Sequence, residues 1–115
     1  MQLNGLTTLA KRTDFLRAAS ARRISTPGFT LQYRQRKDGE ADGIRVGFTC
    51  SKKIGNAVAR NRAKRRLREI ARLVLPELGR DGFDYVLIGR REVTAERDFS
   101  ELKADLTRAL EKAHT

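Results

Sequence analysis

Apolar and polar residues recur along this chain with two different periods, and the periods divide it into elements. From Phe29 to Arg36, Phe29, Leu31 and Tyr33 fall on one side and Thr30, Gln32 and Arg34 on the other, the two-residue alternation of a half-buried strand. Ile44–Cys50 repeats it, with Ile44, Val46, Phe48 and Cys50 inward. Asp84–Gly89 is almost wholly apolar, as an interior strand should be. Ala57–Leu75 has the helical period instead: Ala59, Ala63, Leu67, Ile70, Ala71 and Val74 form one stripe, and Pro76 predicts the end. Glu101–Ala113 repeats Leu102, Leu106, Ala109 and Leu110 behind Ser100 as N-cap, a final amphipathic helix. Lys11–Ala21 reads as a first helix capped by Thr13, with Phe15, Leu16, Ala18 and Ala19 as its apolar surface.

The connections complete the outline. Ser25–Gly28 is a turn, and Lys37–Gly43, polar with two glycines, suits a hairpin between the two alternating strands. A further strand fits around Ile24. Strand, basic helix, strand makes a βαβ crossover, so Ile44–Cys50 and Asp84–Gly89 are expected to run parallel. The expectation is one α+β domain over residues 1–115, of order α-β-β-α-β-α with a third early strand open around Ile24, its mixed sheet in one layer with helices packed on it.

Charge changes the picture from a fold to a function class. The 115 residues hold 25 Lys and Arg against 14 Asp and Glu, a net +11. Between Ile44 and Pro76 lie ten basic residues (Arg45, Lys52, Lys53, Arg60, Arg62, Lys64, Arg65, Arg66, Arg68, Arg72) and one acid, Glu69, so that stretch carries +9 of the +11. The other 15 basic and 13 acidic residues, averaged over the rest, nearly balance. On the helix, Asn61, Arg65, Arg68 and Arg72 lie opposite the apolar stripe, with Lys64 on one edge and Arg62 and Arg66 on the other. An ordinary solvated face mixes signs. Here Arg62–Arg66 and Lys64–Arg68 are like charges at i,i+4, each costing about a few tenths of a kcal/mol. A polyanion is the partner that repays this pattern.

Arginine outnumbers lysine on the helix, and its planar fork matches phosphate oxygens two at a time. The apolar stripe is committed to the core, which leaves no face to insert into lipid. Lys52 and Lys53 precede the helix and Asn56 suits its N-cap, so loop and helix together form one anion-binding surface. No run of about 18 apolar residues exists to span a bilayer. The first residues lack the order of a signal peptide, and a cytoplasmic, membrane-free protein is expected. One cysteine, Cys50, and one histidine, His114, cannot build a Cys/His zinc site. Cys50 points inward as packing, and His114 lies where a chain end frays. The acids outside the basic stretch are scattered, so the protein itself is read as non-catalytic and metal-free. A structural or assembly RNA-binding protein and a DNA-binding architectural protein share these electrostatics and remain rivals at this level.

One run is more specific. Ser51-Lys52-Lys53-Ile54-Gly55-Asn56-Ala57-Val58 followed by Arg60-Asn61-Arg62-Ala63-Lys64-Arg65-Arg66-Leu67-Arg68 resembles the signature of the bacterial ribonuclease P protein subunit. Leu9–Phe15, Arg45–Phe48, Asp84–Ile88 and the closing helix fit the same family. The resemblance implies an α-β sandwich of order α-β-β-β-α-β-α with a left-handed crossover between parallel strands, where the general rule expects a right-handed one. It implies a protein that binds ribonuclease P RNA, the catalyst, which needs Mg²⁺ and removes the 5′ leader of precursor tRNA, with no further protein partner. By position, Lys52, Lys53, Asn56, Arg60, Asn61, Arg62, Lys64, Arg65, Arg66 and Arg68 would face the catalytic RNA. Phe15, Thr30 and Gln32 would line a cleft for the leader. The family often has more aromatics on that cleft; this chain has Ala19 and Gln32 there.

Overall fold

The computed structural model describes residues 5–37, 42–50 and 55–115. Its elements run β1 (Thr7–Thr8), α1 (Arg12–Ala19), β2 (Arg22–Ser25), β3 (Phe29–Gln35), β4 (Arg45–Thr49), α2 (Ala57–Leu78), β5 (Phe83–Gly89), α3 (Val93–Glu96) and α4 (Phe99–Ala113). The expected α+β order holds, with two short additions, β1 and α3, that are too brief to leave a periodic signal. The strand around Ile24 is present as β2.

The five strands lie in the order β1-β4-β5-β3-β2. β4 and β5 are parallel, as the crossover implies, while β3 runs antiparallel to both β5 and β2. The hairpin expected between β3 and β4 does not exist: β5 lies between them. Of the loop joining them, residues 38–41 lie outside the described residues. The real hairpin is β2–β3. Its turn is closed by Thr26, whose hydroxyl donates to the Phe29 carbonyl at 2.7 Å and accepts the Gly28 and Phe29 N–H groups. Gly28 is needed here, because a Cβ would sit 2.4 Å from Leu102 Cδ1.

Strand alternation gives the sheet two packed faces. On one, Phe29, Leu31, Val46, Phe48, Tyr85 and Leu87 meet Leu67, Ile70, Ala71, Val74 and Leu75 of α2 and Leu102, Leu106 and Leu110 of α4. On the other, Leu9, Ala18 and Val86 form a smaller cluster with Phe15 and Ile88 under α1. Gly47 lets α1 approach: a Cβ there would come within 2.6 Å of the Phe15 ring.

Element ends differ in detail. Thr13 does not cap α1, whose N-cap is Lys11 without a side-chain bond. α4 starts at Phe99 because Asp98, not Ser100, accepts the Glu101 N–H. α2 runs through Pro76 to Leu78 and stops at Gly79, whose N–H reaches the Leu75 carbonyl at 2.8 Å. Proline in a last turn loses one bond without ending the helix. His114 is docked, not frayed. It is the C-cap of α4, with Nε2 2.6 Å from the Tyr85 hydroxyl and its ring edge-on to Tyr33, Phe83 and Tyr85. Burial, then the nearby Arg80 charge, holds its pKa below the ordinary 6.5.

Asp84 accounts for the strand order. It stands in register with Arg34 of β3 and Arg45 of β4. Its fully buried carboxylate meets Arg45 Nε at 2.8 Å, Arg36 Nη1 at 2.6 Å and Arg34 Nη1 at 3.5 Å. Burial alone would raise its pKa, but the hydrogen bonds and charges of Arg45 and Arg36 outweigh it and hold the group below 3.8. Asp84→Ala would leave the Arg36 guanidinium, which is 1% exposed, with carbonyl acceptors but without this buried counter-charge, and should cost about 3–5 kcal/mol in urea unfolding; a loss under about 1 kcal/mol would contradict this role. Acid should act in two steps. His114 has a lowered folded pKa, so its contribution is complete above 6.5 and lost as pH falls through that lowered value. Asp84's contribution is complete above 3.8 and lost on further acidification. Thermal melts of wild type and His114→Gln across pH 4–7 should converge on the acid side.

Candidate RNA-binding face

The basic helix has the two sides its sequence predicts. Ala63, Leu67, Ile70, Ala71, Val74 and Leu75 are buried. Leu67, Ile70 and Leu75 are large and fully buried; at about 1.5–3 kcal/mol each they outweigh several like-charge pairs of about a few tenths each. Packing therefore forces the cations outward despite their repulsion.

Asn56 is the N-cap, its Oδ1 accepting the Ala59 N–H at 2.9 Å. Arg60 folds back, donating from Nη1 to the Gly55 carbonyl at 3.2 Å. Asn61 and Arg65 are exposed and Lys64 is half-buried. Arg68 lies over the Phe48 ring, 5.7 Å from its centroid. Val58, 76% exposed, is an apolar residue amid the cations that the stripe analysis missed. Lys52 and Lys53 lie outside the described residues.

Three further arginines are engaged within the protein. Arg62 Nε donates to the Ala95 carbonyl at 3.0 Å. Arg66 Nη2 donates to the Arg97 carbonyl, and its guanidinium lies 5.9 Å from the Phe99 ring centroid. Burial, then the Arg62 charge, lowers the Arg66 pKa, and Asp98 opposes the shift. Arg72 pairs with Glu69, with Nε 3.3 Å from Oε2; the hydrogen bond from Arg72 is the main cause of Glu69's lowered pKa. Of the two acids on the helix, Glu69 answers Arg72 and Glu77 lies in the last turn, so the positive charge concentrates toward Arg60–Arg68.

The second face of the sheet holds the three expected cleft residues, and two of them are nearly closed off. Phe15 is half-buried in the small cluster over Gly47. Thr30 and Gln32 are each 8% exposed, and Thr30 Oγ1 accepts from Arg90 Nη2 at 3.2 Å. Sequence reasoning missed Arg23, which pairs in register with Gln32 and therefore stands beside it on the same face. It also missed a second basic stretch, because averaging hid it. Residues 1–37 carry Lys11, Arg12, Arg17, Arg22, Arg23, Arg34, Arg36 and Lys37 against Asp14 alone, a net +7, offset by acids further on. Ala19 is exposed on α1 beside Leu16, which is 55% exposed.

Among the described residues, no three His, Cys, Asp or Glu side chains come together as a metal site, and no helix is long and apolar enough to cross a membrane. Cys50 is half-buried against the core, and burial raises its pKa, opposite to what a nucleophilic thiol needs.

The internal bonds separate residues that look alike in sequence. Arg66→Ala removes a charged hydrogen bond and a ring contact and should cost about 1–2 kcal/mol. Arg65→Ala touches neither and should stay within about 0.5 kcal/mol of wild type. Equal losses in chemical denaturation would show that both are only solvated charges.

Comparison with known proteins identifies the family. A ribonuclease P family model matches residues 3–114. The chain is 65% identical over 111 residues to the ribonuclease P protein component of Ruegeria pomeroyi, covering 96% of this chain and 89% of that protein. It is 52% identical over 110 residues to the one from Paramagnetospirillum magneticum, covering 93% and 82%. Among solved structures, the RNase P protein from Thermotoga maritima superimposes with a TM-score of 0.75 at 29% identity, covering 91% of this chain and 96% of that one. The Staphylococcus aureus RNase P protein gives 0.73 at 26%, covering 92% and 94%. The chain therefore belongs to the family of ribonuclease P protein components.

Proposed function

We propose that this protein binds ribonuclease P RNA through the exposed cations of α2 and helps that RNA remove the 5′ leader of precursor tRNA in the cytoplasm. The observation that carries the reading is the cationic side of α2: Arg60, Asn61, Lys64, Arg65 and Arg68 project from a helix whose opposite side is locked to the sheet. Arg62 and Asn56 flank them, and Lys52 and Lys53 precede them in sequence. A structural or assembly role without cleavage is not what family membership favours.

The chemistry belongs to the RNA in this reading. Among the described residues the acids are dispersed or already paired with arginine, and no three of them with His or Cys come together for a metal. Mg²⁺ would be held by the RNA, and the protein's part is to bind, orient and offset phosphate repulsion between two RNAs. Precursor tRNA would lie on the other face of the sheet. Phe15 and the small exposed parts of Thr30 and Gln32 would meet the leader, with Arg23 and the basic residues of α1 and β2 along the rim. With Ala19 and Gln32 where aromatics are common in the family, grip there would depend less on stacking, which contributes about 1–3 kcal/mol per base.

Reconstitution tests this directly. At low Mg²⁺, adding the protein to ribonuclease P RNA should stimulate leader removal, whereas an unrelated basic protein at equal concentration should not; no stimulation would overturn the reading. If about five cations meet phosphates, log K against log salt should have a slope of about −3 to −5, and Arg65→Ala should make it shallower by about 1.

A further inference from the structure

We infer that the segment joining α3 to α4 is a splint for the RNA-binding side of α2: it presents Arg62 to a phosphate, and it makes Arg66 a positioning residue instead of a phosphate ligand. This rests on the reading that α2 is the side that meets RNA.

The two arginines lie one turn apart, where like charges repel. Each is held by a main-chain carbonyl more than 30 residues away in sequence, Ala95 for Arg62 and Arg97 for Arg66. They are held differently. Arg62 is gripped only at Nε, and the side chain is exposed. Its two terminal nitrogens keep their donors and form an end-on fork of the kind that takes two phosphate oxygens. Because Nε is already fixed, the fork's direction is set by folding, and less freedom remains to be lost on binding. Arg66 is turned inward. One terminal nitrogen is spent on the Arg97 carbonyl, Nε is buried without an acceptor, and the guanidinium lies over Phe99. With an Nη2 hydrogen committed and Nε buried, Arg66 offers fewer donors to a phosphate than Arg62 does. Its charge instead draws the α3–α4 junction onto α2, and that junction carries the carbonyl that aims Arg62.

The splint is itself anchored. Thr94 Oγ1 donates to the Gly28 carbonyl at 2.6 Å and accepts the Arg90 N–H at 2.8 Å, which ties α3 to the sheet. Arg97 donates from Nε and Nη2 to the buried carboxylate of Asp105 at 2.8 and 3.2 Å, which ties the junction to α4. The carbonyls that hold Arg62 and Arg66 are thus fixed from both sides.

The salt dependence of binding separates a phosphate ligand from a positioning residue, because only the ligand releases counterions. The full chain would be titrated onto ribonuclease P RNA at several salt concentrations as wild type, Arg62→Gln, Arg66→Met, Phe99→Leu and Phe99→Tyr, with each fold checked by circular dichroism. Arg62→Gln should make the slope shallower by about 0.7–0.9. Arg66→Met and Phe99→Leu should weaken binding by about 3–10-fold at fixed salt with the wild-type slope retained. Phe99→Tyr, which keeps the ring, should bind as wild type. A shallower slope for Arg66→Met, matching Arg62→Gln, would overturn the proposal, as would wild-type affinity in Phe99→Leu. If Phe99→Leu does not fold, the Arg66→Met slope decides alone. A wild-type protein with no salt-dependent binding to this RNA would instead overturn the RNA-binding reading of α2, a result distinct from a failed splint.

Discussion

Burial of one side of α2 is the constraint on which the rest depends. Leu67, Ile70, Ala71, Val74 and Leu75 are inaccessible or nearly so, packed on Phe48, Val46 and Leu87 of the sheet and on Leu102 and Leu106 of α4. A helix this cationic would gain little stability alone, since its charges repel and its two acids, Glu69 and Glu77, are too few to answer them. Its rotation about its own axis is set by the apolar stripe, and the stripe decides which arginines reach solvent. A substitution that rotated α2 by one residue would turn it about 100° and carry the cationic side into the sheet. The core is therefore the aiming device for the surface.

The sheet that receives α2 has its own constraint, a buried charge on its central strand. Asp84 has arginine partners on both neighbouring strands, and Asp14 of α1 reaches Arg45 from above at 3.6 Å. Moving β5 out from between β3 and β4 would leave Asp84 with arginines on one side and Arg36 without its buried partner. A desolvated carboxylate is costly unless its partners surround it. The charge cluster thus adds little through pairing as such and much by excluding other strand orders, the hairpin order among them.

This explains which features were legible in the sequence. The alternation at Phe29–Gln35 and the stripe on α2 are local, set by period alone, and both were readable. The β3–β4 hairpin was misread because Lys37–Gly43 has the composition of a turn, while the strand order is set by Asp84, about 40 residues further on. The signal was present, as an acid in an apolar run facing arginines in two earlier strands, but it becomes visible only once the register is known. Arg62 and Arg66 are a similar case. Their identities mark them as cations, yet the carbonyls that hold them belong to residues whose side chains carry no hint of the contact. His114 seemed a terminal residue bound to fray, and its docking depends on Tyr33, Phe83 and Tyr85 meeting only in the folded sheet.

The charge distribution gains its meaning from the same geometry. Net charge by segment is +7 for residues 1–37 and +9 for residues 44–76, with acids concentrated elsewhere. α1 packs on one face of the sheet with Phe15 over Gly47 and α2 on the other, while Arg34, Arg36 and Arg45 are gathered on the Asp84 carboxylate. A protein that neutralised a single polyanion would do best with its cations on one continuous surface. Cations on both faces of a sheet instead suit two polyanionic segments held apart by roughly the thickness of the domain. Anions on opposite faces are kept apart by more than one layer spacing of about 10 Å, beyond the Debye length of about 8 Å at physiological salt. The layer of sheet and helices between them thus keeps the two anions at a distance where their mutual repulsion is largely screened, while each meets its own fixed set of arginines. A sheet with the cations of α2 on one face and Arg12, Arg17 and Arg23 beside the other would let two polyanions approach without forcing their charges into contact.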